Sequence, residues 1–132
     1  MKVIPETHQD LLRDDVRAFC SLATLMKDGS PQVTPVWFSW DGEDILINTA
    51  QGRQKDRNLR ARPQVALVIM DPMNPYRWLQ IRGKVAGFTI EGAREHINFL
   101  NNKYQGNTNY PVVPNEVRVI YRIKPEHVSA SR

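Results

Sequence analysis

The stretch LATLMKDGSPQVTPVWFSWDGEDILINT, residues 22–49, decides how the chain folds. Lys27-Asp28-Gly29-Ser30-Pro31 separates two apolar runs with the residue types that tight turns need, so Leu22–Leu25 and Gln32–Trp40 are expected to form a β-hairpin. Asp41-Gly42 is a second turn signal and leads into a further strand, Asp44–Thr49. Pro35 lies inside the second strand of the hairpin and has no N–H for a ladder. It therefore belongs at an edge or a bulge, where nearby backbone groups stay open to another partner.

On the N-terminal side, Pro5–Cys20 carries Leu12, Val16 and Phe19 at i, i+4 and i+7 behind a proline suited to a helix start, which predicts a helix. On the other side, Gly52–Ala61 lacks strand alternation and is rich in helix formers, with Pro63 limiting its extent. Val65–Met70 is a continuous apolar run that reads as a strand buried on both faces. Asp71–Pro75 reads as a loop, and Arg77–Phe88 as a long strand with a bulge at Gly83. Glu91–Tyr104 places Ala93, Ile97 and Leu100 on one helical face and ends before Gly106. Asn107–Pro114 follows as a loop. In Glu116–Lys124, Val117, Val119, Tyr121 and Ile123 alternate with Arg118, Arg122 and Lys124, the pattern of a half-solvated strand. Six strands and three helices result. Early hairpins argue for an antiparallel sheet, and closure into a barrel would remove its edges, so the expected class is α+β, mainly β.

A chain of 132 residues fits one domain, and 41% hydrophobic with 24% charged residues is ordinary for a globular protein. Cys20 stands alone, which rules out an internal disulfide. The acidic residues of Met1–Asp15 do not suit a signal peptide, and Val65–Met70 is too short to span a bilayer, so a cytoplasmic location without membrane contact is expected. The net charge is +4, and the excess is local: Arg53, Lys55, Arg57, Arg60 and Arg62 face Asp56 alone within ten residues. Such a window points to an anionic partner.

Most catalytic chemistries lack their parts. His8, His96 and His127 each stand alone, no metal-ligand spacing occurs, and Cys20 reads as a small buried hydrophobe. Neither a nucleophile elbow nor a P-loop is present. In Gly52-Arg53-Gln54-Lys55-Asp56-Arg57-Asn58-Leu59, the glycine permits close backbone approach. Arg53 and Lys55 follow at the start of the expected helix, where free N–H groups also favour an anion. A solvated charged helix face is the other reading of the same residues. The neighbours tip the balance: Trp37, Phe38 and Trp40 offer an aromatic wall, and Asn48 and Thr49 are small polar groups just ahead of the basic segment. A flat heterocycle with a phosphate tail suits that combination. Nucleic acid is disfavoured, because Gly52–Arg62 contains no aromatic residue for base stacking.

The series Ala23-Thr24-Leu25, Asp28-Gly29-Ser30-Pro31, Thr34-Pro35-Val36-Trp37-Phe38, Ile47-Asn48-Thr49-Ala50, Gly52-Arg53-Gln54-Lys55, Arg57-Asn58-Leu59, Pro63 and Val65-Ala66-Leu67 resembles the pyridoxamine-phosphate-oxidase-like superfamily, in particular its F420-dependent oxidoreductase branch. Asn74-Pro75-Tyr76, Ile81-Arg82-Gly83-Lys84-Val85 and Glu116-Val117-Arg118-Val119-Ile120 extend the likeness. It implies an antiparallel split β-barrel of the FMN-binding type with flanking helices, paired as a homodimer with cofactor sites at the interface. Thr34, Pro35, Val36, Trp37, Asn48 and Thr49 would line the ring and linker. Arg53, Lys55 and Asn58 would bind the phosphate, leaving the other arginines to solvent or to the cofactor tail. Tyr76 and Trp78 would reach over from the second subunit, and Arg82 would be a further contact. The implied cofactor is F420, a deazaflavin whose tail carries phosphate and glutamates, with FMN as the alternative. The implied reaction is hydride transfer to an electron-poor small-molecule acceptor such as an enone, a quinone or a biliverdin-like compound. A non-catalytic cofactor store is the rival of a different class. No catalytic residue is assigned; Tyr76 or Tyr110 are the phenols available as proton donors. The chain ends after Pro125-Glu126-His127-Val128 without the longer C-terminal part of the pyridoxamine-phosphate oxidases proper, which puts their substrate in doubt.

Overall fold

The computed structural model describes residues 3–132. A 3₁₀ helix, Glu6–Leu12, precedes β1 (Cys20–Leu25), β2 (Pro31–Val36), β3 (Phe38–Trp40) and β4 (Ile45–Ala50). Then come α1 (Gln54–Ala61), β5 (Gln64–Asp71), β6 (Asn74–Thr89), α2 (Ala93–Gln105) and β7 (Arg118–Ala130). All seven strands join one antiparallel sheet in the order β2-β1-β5-β6-β7-β4-β3.

The expected strand Gln32–Trp40 is divided at Trp37. Its first half pairs with β1, Cys20 opposite Val36, and its second half pairs with β4, Phe38 opposite Ile47. The two ends of the sheet are thus consecutive pieces of one extended segment, and the sheet curls on itself into a half-barrel. Pro31 and Pro35 both lie on β2, an edge strand, where a missing N–H leaves no ladder bond unmade. The concave side holds the core, with Leu22, Phe38, Ile45, Ile47, Ile69, Leu79, Ile81, Tyr121 and Ile123 at 0–1% exposure. Each such aliphatic side chain contributes about 1.5–3 kcal/mol by leaving water.

Three expectations are corrected. The helix Pro5–Cys20 shrinks to the 3₁₀ turn, because Arg13 is extended and Asp14-Asp15 favour a turn over a helix interior. Leu12 and Val16 still pack on the core, but Phe19 is 53% exposed and stacks on Tyr104 instead. Asp71–Pro75 is a tight hairpin, not a loop: Asp71 pairs with Asn74 and its carboxylate accepts the Met73 N–H at 2.8 Å, with Pro75 at a register shift. The last strand continues past Lys124 to Ala130, since a bulge at Glu126 on β7, between the Arg82–His127 and Gly83–Pro125 pairs, accommodates Pro125 opposite Gly83. The α1 and α2 helices form as expected, α2 stopping at Gly106 in the left-handed region (φ 81°). Among the described residues no helix is long and apolar enough to cross a membrane.

The bulge leaves no room for a side chain: a Cβ on Gly83 would lie 2.0 Å from the Lys124 carbonyl oxygen, a backbone atom, whereas one on Gly87 meets nothing within 4 Å. Gly83→Ala is therefore expected to destabilise the fold by about 2–3 kcal/mol, at the upper end for overpacking, and Gly87→Ala by less than about 0.5 kcal/mol. Urea unfolding of the two variants checks the contrast, and equal midpoints would remove the close approach from the account.

Candidate functional site

Between the β2–β3 joint, the end of β4 and the start of α1 lies a cleft of about 310 Å³. Pro35, Val36 and Trp37 form one wall, and Asn48, Thr49, Arg53 and Lys55 the opposite side. Ile97 of α2, Tyr110 of the following loop, Phe19 and Arg118 of β7 complete it.

The turn from β4 into α1 sets the cationic end. Gly52 takes φ 91°, which a side chain disfavours, and the chain reverses within three residues to start α1 behind Arg53. Asp56, 4% exposed, ties the turn together: its carboxylate accepts the Gly52 N–H at 3.0 Å, the Tyr121 hydroxyl at 2.6 Å and Arg60 at 3.1 Å. Burial alone would raise the Asp56 carboxyl, but these hydrogen bonds outweigh it and hold the group below its ordinary value. The first-turn N–H groups of α1 have no intrahelical acceptor and add positive potential at the cleft.

Three cations converge there. Arg53 is half exposed, with Glu116 3.9 Å away. Arg118 is 7% exposed, donates from Nε to Asn48 Oδ1 at 2.9 Å and pairs with the same Glu116 at 3.2 Å. The Lys55 ammonium is pushed below its ordinary value by burial first, then by Arg53 and Arg118. One carboxylate among three cations leaves the pocket in need of an anion. Beside them Thr49 Oγ1 is fully enclosed and is the one buried side-chain polar atom among the described residues without a hydrogen-bond partner. Buried hydroxyls are otherwise satisfied, so this one is a desolvation cost that the ligand-free fold carries.

The aromatic side is a ladder rather than a single plate. Trp37 stacks on Tyr104 at 5.3 Å and 9°, and meets Tyr110 edge-on at 6.2 Å and 80°. Tyr104 in turn stacks on Phe19, and its hydroxyl donates to the Ala18 carbonyl at 2.7 Å. Tyr110 is held by the Arg118 and Arg94 guanidinium groups near its ring, and Arg94 also donates to its carbonyl.

The structure thus gathers Pro35, Val36, Trp37, Asn48, Thr49, Arg53 and Lys55 in one cleft. Thr34 is half-buried on β2 next to that wall, opposite Leu22, but does not line it. Asn58 is fully buried elsewhere: its amide donates to Thr24 Oγ1 at 3.0 Å and accepts from Gln54 at 2.8 Å and Arg62 at 3.2 Å, which removes it from phosphate contact. Tyr76, 86% exposed, and Trp78 sit near the β5–β6 hairpin, outside the cleft. Arg82 borders a separate hollow of about 350 Å³ with Glu126 and His127 on the convex face. The remaining arginines of the basic segment are engaged within the chain rather than free: Arg57 with the Gly52 carbonyl, Arg60 with Asp56 and the Phe88 ring, Arg62 with the Leu25 carbonyl. Conversely, Arg118 was expected on a solvated face and instead enters the site. The β4–β7 register, which sets Arg118 opposite Ala50, is the signal that strand alternation alone does not carry. A wider hollow of about 880 Å³ near the N-terminal helix is lined by Asp10, Asp14 and Glu43 beside Arg13, an acidic lining unsuited to an anion.

A family model described as pyridoxamine 5'-phosphate oxidase matches residues 4–132. A solved structure named F420 Reductase is 37% identical over 96% of this chain and 98% of its own, with a TM-score of 0.85. The conserved hypothetical protein Rv2991 from Mycobacterium tuberculosis is 22% identical over 98% of this chain and 85% of its own, with a TM-score of 0.71. A putative pyridoxamine 5'-phosphate oxidase from Listeria innocua is 17% identical over 95% of each chain, with a TM-score of 0.70. These last two speak for the fold alone. No match is found among curated proteins.

The orphaned hydroxyl yields a direct test. Thr49→Val keeps the shape and removes the unpaired polar atom, so it is expected to raise the unfolding free energy of the ligand-free protein by about 1 kcal/mol. A urea midpoint that falls instead would mean that the hydroxyl already has a partner.

Proposed function

The chain belongs to the pyridoxamine 5'-phosphate oxidase family, and from that premise we propose that it is an F420-dependent reductase whose cleft at Trp37 and Lys55 holds the reduced deazaflavin. The observation that carries this reading is the convergence of Arg53, Lys55 and Arg118 on one cleft, where Glu116 is the carboxylate beside Arg53 and Arg118. A phosphate would accept from all three, and the planar Arg forks and the Lys point charge suit its oxygens. The 37% identical F420 Reductase supports deazaflavin over FMN. When bound, the cofactor supplies a hydride to an electron-poor acceptor such as an enone or quinone; the protein's part is orientation and exclusion of water. Trp37 and Ile97 make the wall apolar, and the Trp37–Tyr104 stack keeps the indole plane fixed. Tyr110 brings a phenol to the cleft, so we assign it, ahead of the exposed Tyr76, as the proton source within one subunit.

The reading includes a homodimer in a cytoplasmic setting. Phe19, Val33 and Met70 are large apolar residues with 53%, 65% and 44% exposure, surface that a second copy would cover. In a pair, the Tyr76–Trp78 end of one copy would close the cleft of the other.

Titration of the purified protein with F420 and with FMN, followed by cofactor fluorescence, tests the assignment. F420 is expected to bind more tightly, and Lys55→Ala to weaken it by about 1–3 kcal/mol, the worth of one charged hydrogen bond, with the melting transition unchanged. Tight FMN binding without F420 binding would transfer the site to a flavin. Equal F420 affinity in Lys55→Ala would move the phosphate elsewhere.

A further inference from the structure

Behind the cation cluster runs a chain of half-buried and buried side chains that ends at His96, a residue the proposed function leaves unused. His96, in the first turn of α2, lies with Nε2 2.9 Å from Ser39 Oγ and Nδ1 3.0 Å from Asn48 Nδ2. The same Asn48 amide nitrogen donates to the Ala93 carbonyl at 2.9 Å, and Asn48 Oδ1 accepts from Arg118 Nε at 2.9 Å. These contacts allow one assignment of donors and acceptors. Arg118 only donates and the Ala93 carbonyl only accepts, so the Asn48 amide is oriented from both ends. Its NH2 group then faces His96 Nδ1, which must carry a lone pair. The imidazole proton sits on Nε2, toward the Ser39 hydroxyl.

We propose that His96 is a positioning residue: acting through Asn48, it fixes the guanidinium of Arg118 at the mouth of the cleft. What Arg118 is positioned for rests on the phosphate reading above; the relay itself does not. If Nδ1 gained a proton, two donors would face each other. Asn48 would have to turn its oxygen toward His96, giving up the Ala93 carbonyl and presenting its NH2 group to Arg118. Arg118 would then keep only Glu116 and its contact with the Tyr110 ring. The surroundings oppose that proton. Burial first, then the Arg118 charge, push the imidazole down to about 4. Ser39 on β3 and Asn48 on β4 are uncharged, Glu116 pairs with Arg118, and on α2 Arg94 is engaged with Tyr110 while Glu95 is exposed. The relay therefore stays in its positioning state near neutrality and is released by acid.

His96→Asn restores an acceptor near the Nδ1 position, and His96→Leu removes it. Solvent exchange of the Arg118 Nε–H, read by 15N NMR on the ligand-free protein, is expected to be slow in the parent and in His96→Asn. In His96→Leu it should be about tenfold faster or more, as for a bond opened locally. F420 affinity should fall about tenfold in His96→Leu and stay within about threefold in His96→Asn. As pH is lowered toward 4, the parent should lose affinity relative to His96→Asn, a comparison in which titration of the cofactor cancels. A folded His96→Leu with parental exchange and parental affinity would overturn the proposal. Should that variant not fold, a parent to His96→Asn affinity ratio that stays flat with pH would overturn it equally. A parent that binds no cofactor would refute the proposed function, and the exchange measurement would still decide the relay.

Discussion

One short segment, Pro35-Val36-Trp37-Phe38, holds the molecule in its shape. Up to Val36 it pairs with β1; from Phe38 it pairs with β4, at the opposite end of the sheet order. A seven-stranded sheet whose two ends are joined by one residue cannot lie flat, and its curl buries Phe38 and Val36 against the same core. Trp37, the residue between the two pairings, is free of both ladders. It stacks on Tyr104 of α2, which positions that helix over the end of β4. The cleft is therefore a by-product of closure: it lies where the segment changes partners.

The electrostatics of the cleft follow from what the fold already has to satisfy. Asp56 is engaged by the turn and by Tyr121, so it does not neutralise the cations on the cleft side. Glu116 is shared between Arg53 and Arg118. Arg53, Lys55 and Arg118 stay close together without enough negative charge between them, and Lys55 sits below its ordinary value through burial first and these like charges second. Such an arrangement is unfavourable in the free protein and becomes favourable on binding an anion, the relation expected of a preorganised ligand site.

Much of this was legible in the sequence, and the parts that were not share a cause. Turn chemistry at Lys27–Pro31 and Asp41-Gly42 and the helix bounded by Gly52 and Pro63 are local signals, and the structure bears them out; the bulge expected at Gly83 puts its extra residue across the ladder, at Glu126. Of the site residues that the family resemblance implies, Pro35, Val36, Trp37, Asn48, Thr49, Arg53 and Lys55 line the cleft. The failures are long-range. Alternation puts Arg118 on a solvated face, whereas the β4–β7 register turns that face into the site. Asn58 sits in the basic segment by sequence, but helical spacing turns it inward to Thr24. His96, isolated along the chain, acquires its partners only when β3 and β4 pack beneath α2. The N-terminal apolar period was real for Leu12 and Val16, yet short-range turn preferences at Asp14-Asp15 ended the helix before Phe19.

A crystal structure of the protein soaked with F420 tests the central claim most directly. The account predicts phosphate density within hydrogen-bonding distance of Arg53, Lys55 and Arg118, with the ring against Trp37. Density in the convex hollow beside Arg82 and His127, with the cleft empty, would contradict it.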